Sequence, residues 1–352
     1  MKINNLKDEL IKKFNLLKNN KLLNFKSKNI VNNITTDEYY NNEEILKKSF
    51  DDITTKILDN IEDIDVSELK FPKKKFDCVF MGGGLKGYYL FGAIIILRKM
   101  INNKQIKIRN FICVSIGALA AVFLLSGISI HKMRNIYEFA RNNNKYDLNK
   151  ITLKVCDELL PDNVHELCNG RVKILVSKLT LTGMKQEIIS KFKSKKDLLG
   201  IIHATSCIPY FTNKNILGVK INDNIYYDGA FTNNLPILKN NDIPQLIFHT
   251  NNVEYTHNYI FNTNDKCPEL LILRGVIEME KFIKQLSSND SHNKDILNVN
   301  KNIPIEWINK NIEKTNVIFF EKMITKILII TGYIISLTAN TTNIFLSKKI
   351  KN

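Results

Sequence analysis

The chain has 352 residues, of which 44% are hydrophobic and 24% are charged. These proportions are typical of a folded protein with a large core, and they exclude a wholly disordered chain, a collagen-like repeat and a multi-span membrane protein. Lysine and arginine outnumber aspartate and glutamate by 51 to 35, which gives a formal net charge of +16. This charge favours an anionic partner, either nucleic acid or a membrane surface, but a composition rich in Asn, Lys and Ile accounts for it equally well.

The six cysteines are scattered along the chain without a C-x-x-C pair. Disulfide scaffolds are shorter and denser in cysteine, and zinc ribbons need closely spaced ligands, so we expect buried free thiols and no metal site. The first 20 residues are charged and lack the apolar core of a signal peptide. This pattern predicts an intracellular, cytoplasmic protein.

Composition divides the chain into three regions. Residues 1–75 form a charged extension whose apolar spacing is typical of surface helices. Residues 76–250 carry most of the apolar segments, and residues 251–352 are again charged and helical in character. The last region contains an apolar segment at 327–346, interrupted by two asparagines that disfavour a transmembrane span. We expect this segment to be a helix docked on the core, with peripheral membrane association as the alternative.

The central region alternates apolar segments of strand length with longer segments of helix length. The strands are predicted at 76–81, 108–114, 171–179 and 245–250, and the helices at 85–101 and 117–125. Such alternation is typical of a mainly parallel sheet with helices on its faces. The expected fold class is therefore a three-layer α/β/α architecture with helical extensions at both ends.

A glycine-rich loop follows the first predicted strand. It reads Gly82-Gly83-Gly84-Leu85-Lys86-Gly87 and matches the G-x-G-x-x-G pattern of dinucleotide-binding folds. Those folds also need an acidic residue about 20 positions further on, and no Asp or Glu occurs between Asp77 and Glu138. The loop is better suited to an oxyanion hole, in which backbone N–H groups bind the negative charge that develops during acyl transfer.

A candidate nucleophile and a candidate base lie further along the chain. The segment Cys113-Val114-Ser115-Ile116-Gly117 places a serine between a strand and a helix, as in a nucleophile elbow, with Cys113 where the first glycine of G-x-S-x-G is expected. The candidate base is in Asp228-Gly229-Ala230, which follows two tyrosines and precedes Asn-Asn-Leu-Pro. These neighbours predict a carboxyl group at the edge of an apolar region, with a raised pKa.

Taken together, these motifs resemble the patatin-like phospholipase family. The resemblance covers residues 76–250 and includes the segment 204–211, which is similar to the helix end that leads into proline in that family. It implies a dyad in which Ser115 attacks an ester and Asp228 accepts the serine proton. It also implies that backbone amides of residues 83–86 bind the oxyanion, that Lys86 adds positive potential, and that an acyl-enzyme is hydrolysed without calcium or another cofactor. The implied substrate is a phospholipid or another acyl-ester lipid, met at an anionic membrane surface.

Three alternatives to this interpretation remain open from the sequence. The order Ser…Asp…His fits an α/β-hydrolase triad of Ser115, Asp228 and either His249 or His257. The substitution at Cys113 raises the alternative of a protein that keeps the fold and binds lipid with impaired catalysis. Nucleic-acid binding is not favoured, because no interleaved basic and aromatic motif accompanies the positive charge.

Overall fold

The computed structural model describes residues 54–71, 75–142, 148–209, 211–213, 217–236, 243–248, 269–288 and 296–298. The chain divides into two compact units, Met1–Lys301 and Asn302–Asn352, and all the described residues lie in the first. These residues contain one mixed sheet of eight strands: β1 (Lys75–Phe80), β2 (Lys107–Val114), β3 (Val172–Thr180), β4 (Gly183–Ile189), β5 (Val219–Ile221), β6 (Asn224–Asp228), β7 (Gln245–Phe248) and β8 (Ile296–Asn298). Their order across the sheet is β5-β6-β3-β2-β1-β7-β8, and β4 pairs with β3.

The centre of the sheet is parallel. β1 pairs in parallel with β2 and β7, and β2 pairs in parallel with β3. Side chains of β1 and β7 are buried almost without a break, as expected for strands covered on both faces. The fold class is thus confirmed as α/β with a mainly parallel sheet. The antiparallel strands β4, β5 and β6 extend this sheet on one side and were not predicted from the sequence.

The helices connect and cover the strands. They are α1 (54–62), α2 (Tyr88–Asn102), α3 (Ile116–Ser126), α4 (Ile130–Asn142), α5 (Leu148–Leu159), α6 (Val164–Cys168), α7 (Lys195–Thr205) and α8 (Glu269–Ser288). Most residues of α2 and α3 are buried, and such helices are apolar nearly all round because they have little solvent-facing surface.

Helices α2 and α8 cross closely because each has a glycine at the crossing. A Cβ at Gly92 would lie 1.9 Å from the Ile272 carbonyl oxygen, and a Cβ at Gly275 would lie 2.0 Å from the Tyr89 carbonyl oxygen. Apolar side chains of α8 are buried in the same core as those of α2. The core therefore includes apolar residues of α8, a helix within the region 251–352 that the sequence predicts to be helical.

Several sequence-based predictions concern residues in or near this core. Cys78, Cys113, Cys156, Cys168 and Cys207 are buried, and none of these five forms a disulfide bond. Within the described part of the chain, no helix combines the length and the apolar character that a membrane span requires. The apolar segment at 327–346 lies outside the described residues, and so does the sixth cysteine.

Candidate active site

The register of three strands brings the predicted nucleophile and base together. Ser115 follows the last residue of β2, and Asp228 is the last residue of β6. Both strands pair with the same edge of β3, at consecutive residues: Leu175 pairs with Val114 and Val176 pairs with Asp228, while β4 pairs with the opposite edge. Ser115 Oγ donates a hydrogen bond of 2.7 Å to Asp228 Oδ2. Two residues 113 positions apart thus meet at one edge of the sheet.

Ser115 occupies a strained turn that presents its hydroxyl to the site. Its backbone has φ 55° and ψ −130°, in a region that residues other than glycine rarely adopt and that is found mainly at functional turns. Its N–H donates to Thr205 Oγ1 at 2.9 Å, and Thr205 Oγ1 donates in turn to the Leu175 carbonyl at 2.6 Å. Thr205 is fully buried, so these bonds are shielded from water and hold the turn against the end of α7.

The role of Thr205 could not be predicted from the sequence. The residue lies in the segment 204–211 that carried part of the family resemblance, but its partner is 90 positions away. No local spacing signals such a contact. Once the elbow is placed, the need of the Ser115 N–H for an acceptor is the signal that identifies Thr205 as a positioning residue.

We expect Thr205→Val to lower kcat by about 10- to 100-fold with little change in KM, because a loosened elbow misplaces the nucleophile. Thr205→Ser keeps the hydroxyl and should restore most of the activity. The free energy of unfolding should fall by about 1–3 kcal/mol in the valine variant, since a buried N–H loses its acceptor. Steady-state kinetics and urea unfolding of both variants measure these effects, and equal kinetics for Val and Ser would contradict the positioning role.

Of the two glycine positions in the G-x-S-x-G motif, the structure requires glycine only at the second, which is Gly117. A Cβ at Gly117 would lie 2.4 Å from the Phe80 carbonyl oxygen, so a larger residue there would push the helix away from β1. Cys113, by contrast, lies inside β2 in regular pairing with Phe80 and Ile174. It does not have a positive φ. The departure from G-x-S-x-G is therefore compatible with the contact between Ser115 and Asp228.

We expect Cys113→Gly to leave kcat within about twofold of wild type and to lower the free energy of unfolding by about 1–3 kcal/mol. The reason is that Cys113 fills buried space in a strand, where glycine adds backbone freedom and leaves a void. Kinetics together with thermal unfolding measure both quantities. A large gain in kcat would instead show that this side chain restrains the chemistry.

Asp228 is buried and held in one orientation. Its side chain is only 1% exposed, and Oδ1 accepts a 2.9 Å hydrogen bond from the Ala230 N–H. Burial raises the pKa of Asp228 to about 7, although the hydrogen bonds from Ala230 and Ser115 act in the opposite direction. A Cβ at Gly229 would lie 2.2 Å from the Leu175 carbonyl oxygen, so the glycine of this motif is required for packing against β3.

The first part of the glycine-rich loop packs against the nucleophile. A Cβ at Gly82 would lie 3.1 Å from Ser115 Cβ and 2.9 Å from Asn234 Oδ1. Gly84 has a φ of 55°, in the left-handed region that favours glycine. The loop therefore needs glycine for close approach at one position and for backbone conformation at another.

The second part of the loop is the short helical turn Gly84–Gly87, which leads into α2. The Lys86 N–H donates to the Gly83 carbonyl at 3.1 Å and closes this turn. The side chain of Lys86 is 7% exposed, and burial lowers its pKa. A Cβ at Gly87 would overlap the side chain of Ile116, the first residue of α3.

A cavity of about 640 Å³, including the part open to solvent, begins at Ser115. Its walls come from the glycine-rich loop, from helices α2 to α5 and from the segment after α7. The lining residues are Gly84, Leu85, Phe91, Ser115, Ile116, Leu119, Phe123, Ile136, Asn149, Thr152, Ser206, Ile208 and Thr212. Seven of these are large and apolar, so the cavity offers an apolar chain a path away from the dyad.

The polar lining residues join one wall of this cavity to another. Asn149 Nδ2, near the start of α5, donates to the Ser206 carbonyl at 2.7 Å. Thr212 Oγ1 donates to the same carbonyl at 2.5 Å. The contact of Asn149 was not predicted, because it links residues that are 57 positions apart in the chain.

The geometry bears on the alternative triad and on metal binding. In a Ser-His-Asp triad the imidazole lies between the serine and the aspartate, whereas here the carboxylate contacts the hydroxyl directly. His249 and His257 lie outside the described residues. Within the described ranges, no group of three or more His, Cys, Asp or Glu side chains could hold a metal ion.

Residues 78–239 match the family model for patatin-like phospholipases. The resemblance seen in the sequence is thus confirmed for this part of the chain, which is similar to patatin-like phospholipase domains. At the level of the family, this match supports lipid acyl hydrolase or acyltransferase activity.

Several known proteins are similar to part of this chain. The chain is 26% identical over 177 residues to the mouse protein 1-acylglycerol-3-phosphate O-acyltransferase Pnpla3, covering 47% of this chain and 42% of that protein. It is 24% identical over 176 residues to human patatin-like phospholipase domain-containing protein 4, covering 47% and 68%. Among solved structures, VipD from Legionella pneumophila aligns with a TM-score of 0.33 and 12% identity over half of each chain. The chain thus spans less than half the length of the mouse relative.

Proposed function

We propose that this protein is a calcium-independent lipid acyl hydrolase in which Ser115 is the nucleophile and Asp228 the base. The proposal rests on the direct 2.7 Å hydrogen bond between two buried side chains at the ends of β2 and β6. As carboxylate, Asp228 accepts the hydroxyl proton while Ser115 Oγ bonds to the ester carbonyl carbon. The bond to the alcohol then breaks and the alcohol leaves with that proton. Water attacks the acyl-serine in the same way and releases the fatty acid.

The oxyanion hole is assigned to backbone N–H groups beside Ser115. Gly84 and Leu85 line the same cavity as Ser115, and the loop that carries them packs against the serine. The N–H of Ile116 is a further candidate, since the first residue of a helix has no acceptor within that helix and the residue after the nucleophile often serves in this role. The Lys86 N–H is used to close the turn, so Lys86 contributes through its positive charge.

The acyl chain is assigned to the apolar part of the cavity. Phe91, Leu119, Phe123 and Ile136 line it together with Leu85. Burial stabilises a bound chain by about 0.8 kcal/mol for each methylene group, so long-chain esters should be preferred over short ones. The alternative of a lipid-binding protein with impaired catalysis is less favoured at Cys113, because this residue lies in regular strand pairing next to the elbow.

Acyl transfer to a lipid hydroxyl is the second candidate function. The name of the mouse relative describes transfer to 1-acylglycerol-3-phosphate, and an acyl-serine can react with such a hydroxyl as well as with water. The first half-reaction is the same in both cases. The two functions differ only in which acceptor reaches the acyl group.

The experiment follows a radiolabelled acyl chain from phosphatidylcholine vesicles in the presence of a calcium chelator. Wild type should release labelled fatty acid, and Ser115→Ala should release none above background. Adding 1-acylglycerol-3-phosphate distinguishes hydrolysis from acyl transfer. A hydrolase releases labelled fatty acid, whereas a transferase produces labelled phosphatidic acid. If folded wild-type protein moves no label from any of several acyl-ester lipids, the proposal is wrong.

A further inference from the structure

The hairpin of β3 and β4 extends past the end of β2, where the dyad lies. Strand β3 is level with the end of β2 at Leu175 and with Asp228 at Val176, and it continues to Thr180. At about 3.3 Å per residue this continuation reaches about 13 Å past Asp228. Strand β6 accompanies it as far as Lys178, so the end of the hairpin, from Leu179 to Met184, lies beyond the pairing of β3 with β6.

The turn of this hairpin presents an exposed leucine. Thr180 pairs with Gly183, so Leu181 and Thr182 form a two-residue turn, and Thr180 Oγ1 donates to the Gly183 carbonyl at 2.6 Å. The side chain of Leu181 is fully exposed. Such turns usually contain Gly, Asn or Asp. The turn is thus well defined, and folding alone gives no reason for a leucine at its tip.

Further apolar side chains lie on one face of the same hairpin. Leu179 pairs with Met184, and Ile188 lies four residues further along β4, so strand alternation places the three side chains on one face. Each is about 40% exposed or slightly more. Leu179 and Met184 form, together with Leu181, an apolar surface at the end of the hairpin, and Ile188 lies on the same face further back, paired with Leu175.

The opposite face of the hairpin is positively charged. Lys178 and Lys185 are directly paired across the two strands, an arrangement that like charges disfavour. Glu187 Oε2 lies 3.7 Å from Lys178 Nζ, so the three charges sum to a net positive value. The lysine pair Lys178 and Lys185 directly follows the apolar pair Leu179 and Met184 as the hairpin runs back from its tip. This order suits a lipid surface, in which acyl chains lie below anionic headgroups.

We propose that the β3–β4 hairpin is a docking arm for anionic phospholipid bilayers. Leu181, with Leu179 and Met184 behind it, inserts among the acyl chains, and Lys178 and Lys185 contact headgroup phosphates. This inference rests on the proposed function, because it assumes that the substrate comes from such a bilayer. Docking in this way brings the edge of the sheet that carries Ser115 towards the lipid.

The test measures vesicle binding without turnover. Full-length protein carrying Ser115→Ala is floated with phosphatidylcholine vesicles, with and without phosphatidylserine, alone and with Leu181→Asp or with Lys178→Glu plus Lys185→Glu. Leu181→Asp should weaken binding about tenfold or more, since it removes an inserted leucine. Lys178→Glu plus Lys185→Glu should weaken binding only to vesicles that contain phosphatidylserine. The weakening should become smaller as the salt concentration rises.

Matched controls come from the opposite edge of the sheet. Leu167 on α6 is partly exposed, and Lys75 pairs with Lys107 at the starts of β1 and β2. Leu167→Asp, and Lys75→Glu plus Lys107→Glu, should each change binding by less than about twofold.

The outcomes separate the docking arm from the proposed chemistry. Unchanged vesicle binding by Leu181→Asp, or equal weakening by the controls, would overturn the docking arm. The docking arm would also be overturned if Leu181→Asp changed the free protein from a dimer to a monomer and left vesicle binding unchanged. The hairpin would then be a contact between two copies of the chain. Hydrolysis of a soluble short-chain ester by the otherwise wild-type Leu181→Asp protein should be normal. A loss there would point to the chemistry and not to docking.

Discussion

Replacing Ser115 with alanine or Asp228 with asparagine is expected to reduce acyl-ester hydrolysis by about 10⁴-fold or more. Ser115→Ala removes the atom that bonds to the substrate. Asp228→Asn keeps the shape, because its oxygen can still accept from the Ala230 N–H while its amide nitrogen donates to Ser115 Oγ, but it cannot take a proton. The double variant should be no worse than either single one, since both act in one step. Rates of fatty-acid release from purified, folded variants measure this.

Matched variants control for loss of structure. Asp77 is also a fully buried aspartate, but it pairs with Arg109 at 2.7 Å near the starts of β1 and β2, whereas Ser115 follows the end of β2. Asp77→Asn should lower the free energy of unfolding and leave kcat of the folded protein near wild type. Ser126→Ala, in the last turn of α3, should change neither quantity. If Asp77→Asn and Asp228→Asn lowered kcat equally, the assignment of Asp228 as base would be wrong.

The second large effect is on the pH dependence of activity. Only the carboxylate form of Asp228 can accept the serine proton, and burial raises its pKa to about 7. We therefore expect kcat/KM to rise about tenfold per pH unit below pH 7 and to level off above it. Short-chain ester hydrolysis measured between about pH 5 and pH 9 gives the profile. A profile that is flat down to pH 5 would contradict a buried base with a raised pKa.

The same pKa has a consequence for stability. Because folding raises the pKa of Asp228 above its ordinary value of 3.8, the protonated residue favours the folded state. This contribution is complete below about pH 4 and is lost as the pH rises through about 7. Asp228→Asn stays neutral, so relative to wild type it should gain about 2–4 kcal/mol between pH 4 and pH 8. Urea unfolding of both proteins at the two pH values checks this sign.

Local signals were enough to predict the central strands and the two site motifs. The strands predicted at 76–81 and 108–114 are observed at Lys75–Phe80 and Lys107–Val114, because buried parallel strands are continuous apolar segments bounded by polar residues. The glycine-rich loop and the elbow were predictable for a similar reason. In each, a tight turn between strand and helix restricts the residue types that fit.

Features that depend on long-range contacts could not be predicted in this way. Strand β4 is mostly exposed on both faces and carries no apolar periodicity, so nothing in its sequence marks it as a strand. The support of Ser115 by Thr205 and the bond from Asn149 to the Ser206 carbonyl join distant positions. Their physical basis is the need of a buried N–H or carbonyl for a partner, and that need appears only once the chain has folded.

The most direct test of the central claim is to trap the acyl-enzyme site chemically. Folded protein is treated with a long-chain fluorophosphonate, an ester analogue that bonds to an activated serine, and the modified peptide is found by mass spectrometry. We expect one adduct, on Ser115, that forms much more slowly in Asp228→Asn and faster as the pH rises through about 7. An adduct on another residue, or labelling of Ser115 at the same rate without the Asp228 carboxylate, would contradict the Ser115–Asp228 dyad.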